Sequence, residues 1–226
     1  MELKKIASLM LAALLVMVVM CGCAQQAAAD PSAPAAAEGD ASKIVSIVVS
    51  ENPITLDPLD QMNIPGNIQV QMCMEPLVWY DGNGGYVPCL AKSWEYNEDG
   101  TEWTFHLQEG VTYHNGEAFD ADDVACTFQR ILDNQGSIFN PMTYWTSLKS
   151  YEIVDPYTIK IQLSEPRATM LMGCYYTPIM PNGAYEELGE KLWTEQHMYG
   201  TGPWVMDQWV DGQYCHYTKN EAYWDK

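Results

Sequence analysis

The sequence predicts an α/β protein, strand-rich from Lys43 onward with helices set between the strands. Ile44, Val45, Ile47, Val48 and Val49 form a β-branched run that suits a strand buried on both faces. Trp103, Phe105 and Leu107 alternate with Thr104, His106 and Gln108, the period-2 pattern of a strand with one buried face. Val124, Phe128, Ile131 and Leu132 recur at i, i+4, i+7 and i+8, the stripe of a core-facing helix.

The remaining elements follow in chain order. Pro53 and Pro58 end the first strand, and residues 68–74 begin a helix that leads to Glu75-Pro76-Leu77-Val78-Trp79. Asp81-Gly82-Asn83-Gly84-Gly85 is a turn built from residues that tolerate positive φ. Trp94 and Tyr96 lie on a strand, Asn97-Glu98-Asp99-Gly100 turns it, and residues 103–107 return as a hairpin. After a turn at Asn115-Gly116, Asp120 is placed to cap the helix, with Asp122 and Asp123 in its first turn. Three aspartates could instead hold a metal or run acid–base chemistry, but helix starts recruit acids for structural reasons. A second hairpin pairs residues 151–154 with 158–163 around Asp155-Pro156-Tyr157 and turns Ile159, Ile161 and Leu163 to one face.

The amino terminus reads as an export signal. Lys4 and Lys5 precede an apolar run from Ile6 to Met20, too short for a membrane span. Met20-Cys21-Gly22-Cys23 resembles the lipobox of bacterial lipoproteins, which makes Cys23 the residue to be lipid-modified. A simple cleaved secretory signal is the alternative. Residues 24–42, rich in Ala, Gln, Pro, Ser and Gly without apolar period, read as a flexible tether.

A net charge of -19 excludes nucleic acid and anionic membrane surfaces as partners. Of seven cysteines, Cys73, Cys89, Cys126, Cys174 and Cys215 lie beyond Cys23. Five cannot all pair and none stand in CxxC spacing, so neither a zinc site nor a full disulfide framework is indicated. Cys126 fits the helix as a small buried residue, while one disulfide among the other four suits an exported protein without the sequence choosing the partners. His106, His114, His197 and His216 are isolated, and no HExxH, GxSxG, Walker loop or GxGxxG is present. We therefore expect no catalytic residues, cofactor or metal.

A series of short motifs then gives the pattern a family likeness. Thr55-Leu56-Asp57-Pro58, Glu75-Pro76-Leu77, Pro88-Cys89-Leu90-Ala91-Lys92-Ser93-Trp94, Asp99-Gly100-Thr101 and Trp103-Thr104-Phe105-His106-Leu107 come first. Gly110-Val111, Asn115-Gly116, Asp122-Asp123-Val124, Leu163-Ser164-Glu165-Pro166, Gly200-Thr201-Gly202-Pro203-Trp204 and Asn220-Glu221-Ala222-Tyr223-Trp224 follow. In this order they resemble the peptide- and nickel-binding family 5 of extracellular solute-binding proteins that feed ABC importers. The likeness runs roughly from Ile44 to the last residue, with Cys89 a departure of conservative size.

The resemblance implies a class II clamshell of the periplasmic-binding-protein type. Residues 1–22 would be the lipoprotein signal and 23–42 the tether. Residues 43–58 and 167–226 would form an incomplete ligand-facing lobe, and 59–166 an inserted β-rich α+β domain. Lys226 falls where family members are about half finished, so the closing lobe is missing and the chain is either a fragment or a shortened relative. By position, Gln61, Met62, Asn63 and Ile64 resemble a loop that pairs with ligand backbone, with Pro65-Gly66 as its turn residues. Tyr144 and Trp145, and Cys174 and Tyr175, are implied as aromatic or rim contacts. The implied function is capture of di- or oligopeptides outside the cytoplasmic membrane and delivery to permease subunits by a lipid-anchored monomer. A nickel or haem carrier of the same family, or a lipid-anchored peptide sensor, is the alternative.

Anchoring is directly testable. With Cys23 acylated, each buried methylene adds about 0.8 kcal/mol of membrane affinity. Cys23→Ala should move the protein from the detergent phase to the aqueous phase in a partitioning experiment.

Overall fold

The computed structural model describes residues 45–48, 51–60, 63–193 and 198–225. Contacts group the chain into two units, Met1–Ile47 and Val48–Lys226, and nearly everything described lies in the second. In chain order the elements are α1 (Ile64–Cys73), β1 (Val78–Tyr80), β2 (Tyr86–Pro88), β3 (Ala91–Tyr96), β4 (Glu102–Leu107), α2 (Ala121–Asp133) and α3 (Phe139–Tyr144). They continue with β5 (Leu148–Asp155), β6 (Thr158–Leu163), α4 (Met170–Tyr175), α5 (Asn182–Leu188), a 3-10 helix (Gly189–Leu192), β7 (Trp204–Val210) and β8 (Tyr214–Lys219).

Four antiparallel strands in the order β3-β4-β6-β5 make the main sheet, and β1-β2 and β7-β8 are separate hairpins. Both hairpins expected from the sequence form within the sheet, because their apolar residues alternate in register. Trp103 and Phe105 stand opposite Ile161 and Ile159, and all four are buried together with Leu107 and Leu163. The β5–β6 turn is closed by Asp155 Oδ1, which accepts the Tyr157 N–H at 2.8 Å. Helix α2 packs against β5 and β6 and buries Val124, Phe128 and Ile131, with Leu132 only partly covered.

The aspartates at the start of α2 are caps. Asp120 Oδ1 accepts the Asp122 N–H at 2.8 Å, and Asp123 Oδ2 accepts the Asp120 N–H at 2.9 Å, a reciprocal capping box. Asp123 also serves a second helix: its Oδ1 accepts the Asn182 N–H at 2.7 Å, while Glu117 Oε2 accepts the Ala184 N–H at 3.3 Å. Pro181 at the N-cap of α5 has no side chain able to do this.

Two expectations fail at the amino-terminal end. Val45, Ile47 and Val48 are exposed, at 83%, 68% and 95%, and residues 45–48 belong to no strand. A buried strand needs partners for its backbone groups, and among the described residues no ladder includes this segment. The helix expected from residue 68 begins at Ile64, so Pro65 and Gly66 are helical rather than turn residues. Proline in the first turn lacks only an N–H that would have no helical partner there, and the Gly66 N–H is taken by Asn63 Oδ1 at 3.0 Å.

Buried polar groups tie distant segments together. Arg130 on α2 donates from Nη1 and Nη2 to Asp57 at 2.8 and 2.5 Å, and Nη2 also reaches Glu190 Oε2 at 3.0 Å. Its guanidinium lies 5.7 Å from the Tyr185 ring centre and 5.3 Å from that of Trp193. Asp57 Oδ1 further accepts the Leu59 N–H at 2.9 Å. In a second cluster, Glu75 accepts hydrogen bonds from Thr201 Oγ1 at 2.8 Å, Tyr223 Oη at 2.7 Å and Trp224 Nε1 at 2.7 Å. Burial pushes the Glu75 carboxyl above its ordinary range, and these three donors oppose that rise. His114 Nδ1 accepts the Gly200 N–H at 3.3 Å, which leaves Nε2 to donate to Gly202 O at 3.0 Å. A Cβ on Gly200 would stand 2.0 Å from the Cys73 carbonyl oxygen, so only glycine admits this approach of backbone to α1.

Asp57→Ala should therefore strand a buried cation and cost about 3–5 kcal/mol in denaturant unfolding, far more than an exposed ion pair would. A pH effect follows from Asp123, whose carboxyl burial pushes from an ordinary 3.8 up to about 7. The folded state then holds this proton more tightly than the unfolded state. Its contribution is full below pH ~4, declines as pH rises, and is gone above pH ~7. Asp123→Asn should flatten that dependence by on the order of 2–4 kcal/mol between pH 4 and 7, measured by urea unfolding at a series of pH values.

Candidate ligand-binding surface

The aromatic side chains of β1, β2, α3 and α4 make a continuous row. Tyr144 stacks on Tyr176 with ring centres 5.1 Å apart and planes 11° from parallel. Tyr176 meets Tyr175 edge-on at 4.7 Å, and Tyr175 meets Trp79 edge-on at 5.8 Å and Tyr80 at 6.4 Å. Tyr80 reaches Tyr86 across the β1–β2 hairpin at 5.9 Å, where the two are register partners. None of the six rings is fully buried, and Tyr80 is 48% exposed. Partial burial raises the phenol groups of Tyr86 and Tyr144 above their ordinary range, so both remain neutral donors and acceptors near pH 7.

Local chemistry explains how the row is held. The β1–β2 turn is organised by Asp81 Oδ1, which accepts the Asn83 and Gly85 N–H groups at 2.7 and 2.8 Å, and Gly82 and Gly84 supply the positive φ. The hairpin connects to α4 through the bridge between Pro76 and Pro178 and the Ile179 N–H bond to Glu75 O at 3.0 Å. Behind the row, Trp145 is buried edge-on to Phe128 at 4.8 Å and donates from Nε1 to Thr177 Oγ1 at 2.8 Å. Thr177 in turn donates to Gly173 O at 2.7 Å. A Cβ on Gly173 would lie 3.2 Å from the Trp145 ring, so the glycine lets α4 settle close against it.

Sequence reasoning marked eight residues for ligand contact. Gln61 and Met62, like Cys23, lie outside the described residues. Asn63 is the N-cap of α1, with Nδ2 bonded to Asn52 O at 3.0 Å, and Ile64 is exposed in the first turn. Tyr144 and Tyr175 stand in the row. Trp145 and Cys174 are 1% exposed and support it from within. The amino-terminal turn of α1 and the row meet at one corner, a cleft of about 10 Å³ lined by Pro58, Asn67, Phe139, Asn140, Tyr144 and Tyr176. That volume holds roughly one water, so the surface is an open face here. Trp79, Tyr80 and Tyr86 of the row are not among the eight, although a half-buried Trp79 and an exposed Tyr80 directly before the Asp81 turn are a readable hint.

A larger groove of about 430 Å³ lies elsewhere, against α2, β5 and α5, with Tyr151 and Tyr185 among its walls. It contains none of the eight. Among the described residues, no group of three or more His, Cys, Asp or Glu is placed to hold a metal ion.

With this geometry in view, the comparisons are consistent with one another. Residues 85–226 match the model for bacterial extracellular solute-binding proteins, family 5 Middle, and the chain belongs to that family. The nickel-binding periplasmic protein of Escherichia coli K12 is 32% identical over 185 residues, which are 76% of this chain and 33% of that protein. Agrobacterium AgaA, a periplasmic binding protein solved with agropinic acid, superposes with a TM-score of 0.71 at 28% identity, over 78% of this chain and 35% of the other. Helicobacter pylori DppA, an ABC transporter-associated periplasmic binding protein solved with the peptide STSA, gives 0.69 at 26% identity, over 78% and 39%. The fold is thus α/β of the class II periplasmic-binding-protein type, and the chain spans about a third of the length of these relatives.

Proposed function

We propose that the chain is part of the substrate-binding component of an ABC importer that takes up di- or oligopeptides, and that it is not an enzyme. The row from Tyr144 through Tyr175 to Tyr86 carries this reading. Partly exposed phenols and an indole offer broad flat contact to an extended peptide and hydrogen bonds to its backbone at small cost in conformational freedom. Such a surface tolerates many side chains, as a nutrient importer requires. Asn63 and Ile64 at the end of α1 would add contact from the same corner.

In this reading residues 43–58 and 167–226 belong to the ligand-facing lobe, 59–166 to an inserted domain, and the rest of a chain as long as the relatives closes over the peptide. The protein works as a monomer outside the cytoplasmic membrane, anchored through Cys23, and hands its ligand to permease subunits. A nickel carrier is the second reading, favoured by the 32% identity to the E. coli nickel-binding protein.

Calorimetric titration with a mixed peptide pool tests both. Residues 23–226 alone leave the ligand half solvated, so net gain per hydrogen bond stays at about 1 kcal/mol or less and binding should be no tighter than about 1 mM. The gene's full-length product should bind at about 1 µM or tighter and lose about tenfold with Tyr175→Ala. Nickel binding with no response to peptides would replace this reading with the second.

A further inference from the structure

We propose that Cys73 and Cys215 form a disulfide that fastens α1 to the β7–β8 hairpin. Cys73 is the last residue of α1 and is fully buried, and Cys215 is a half-buried residue of β8. Two observations set them on the facing surfaces of α1 and the hairpin. On the helix side, Cys215 Sγ lies 2.7 Å from Gln69 Oε1, and Gln69 stands one turn before Cys73 on the same buried face of α1. On the strand side, Met206 pairs with Tyr217, and Cys215 lies two residues before Tyr217, hence on the same face of β8. The Cys73 thiol approaches the Met206 backbone and Cys215 opposes its ionisation, and the Tyr217 phenol is raised by burial and by both thiols. Cys89, Cys126 and Cys174 stand before β3, in α2 and in α4, on other elements.

Oxidation breaks two S–H bonds and forms one S–S bond. Two protons and two electrons pass to an oxidised disulfide, either glutathione disulfide or a dithiol–disulfide oxidase, which leaves as two thiols. Cys215, the more accessible, makes the first exchange, and Cys73 then displaces the carrier. Burial pushes the Cys73 thiol up to about 12 and raises Cys215 as well, so little thiolate exists in the folded chain. The bond therefore forms during folding, before the hairpin covers the helix. For its oxidant the proposal rests on the exported location given above; the pairing itself does not.

The test begins with the full chain, reduced and unfolded, then refolded in a glutathione redox buffer. Free thiols are alkylated, the chain is digested without reduction, and the peptides are mapped by mass spectrometry. The expected result is a peptide pair joining Cys73 to Cys215, absent from Cys215→Ser, with a Tm about 5–10 °C above that of the reduced chain. Recovery of both cysteines alkylated, or of either joined to another cysteine or to glutathione, overturns the proposal, and this arm requires no variant to fold. The same mapping on chain isolated from fractionated cells separates the two readings. Free thiols at both positions in chain recovered outside the cytoplasm overturn the disulfide alone, whereas chain confined to the cytoplasm overturns the location and leaves the refolding result to decide the pairing.

Discussion

Arg130 reaches three parts of the chain from one buried position. Its two terminal nitrogens hold Asp57 from the segment ahead of α1, and its remaining reach goes to Glu190 and to the rings of Tyr185 and Trp193 beyond α5. A cation removed from water is tolerated only where its charge and donors are answered. Here the two terminal nitrogens are answered by residues some sixty to seventy positions away on either side, while Nε is buried with no hydrogen-bond partner among the described residues. The segment around Leu56 and Leu59, both fully buried, is thereby fixed against α2, and Asp60 Oδ1 then accepts the Phe139 N–H at the head of α3 at 3.1 Å. The corner where Tyr144 stands depends on that chain of contacts. Glu75 plays a matching part in the second cluster, where neutral donors answer a buried carboxyl and join the end of α1 to Thr201, Tyr223 and Trp224.

These two nodes give physical content to the ordered motifs of the sequence. Leu56-Asp57-Pro58 carries the carboxylate that Arg130 needs, and Glu75-Pro76-Leu77 carries the one that the last two motifs bind. Gly200 and Gly202 are glycine because the backbone passes against the Cys73 carbonyl. These motifs therefore mark where distant segments must fit one another.

Local pattern made the sheet and α2 legible. Trp103, Phe105, Ile159 and Ile161 alternate because one face is buried, and the acids before Val124 fill a capping box that any isolated helix of this sequence would favour. Residues 45–48 were misread because a β-branched run specifies a strand only if neighbours exist to pair with it. The start of α1 was misread because Pro65-Gly66 usually punctuates, whereas the Asn63 cap turns both into first-turn residues. Tyr144 and Tyr175 could be singled out, but not the row itself. Its rings come from residues 79–86, 144 and 175–176, and no sequence period links them. Trp145 and Cys174 looked equivalent to their neighbours because adjacency in sequence does not reveal which of two aromatic or sulfur-bearing side chains faces inward.

Helix α5 has a conditional existence. Seven residues are too few to hold a helix in water unaided, and the amides at its start are satisfied only by Asp123 and Glu117, carboxylates that stand about sixty positions earlier. Until α2 and the turn before it are in place, those amides remain with solvent. The helix is thus a late reporter of assembly, closing a long loop whose entropy earlier contacts must already have offset, and amide exchange at Asn182 and Ala184 would record the moment the two halves of this unit come into register.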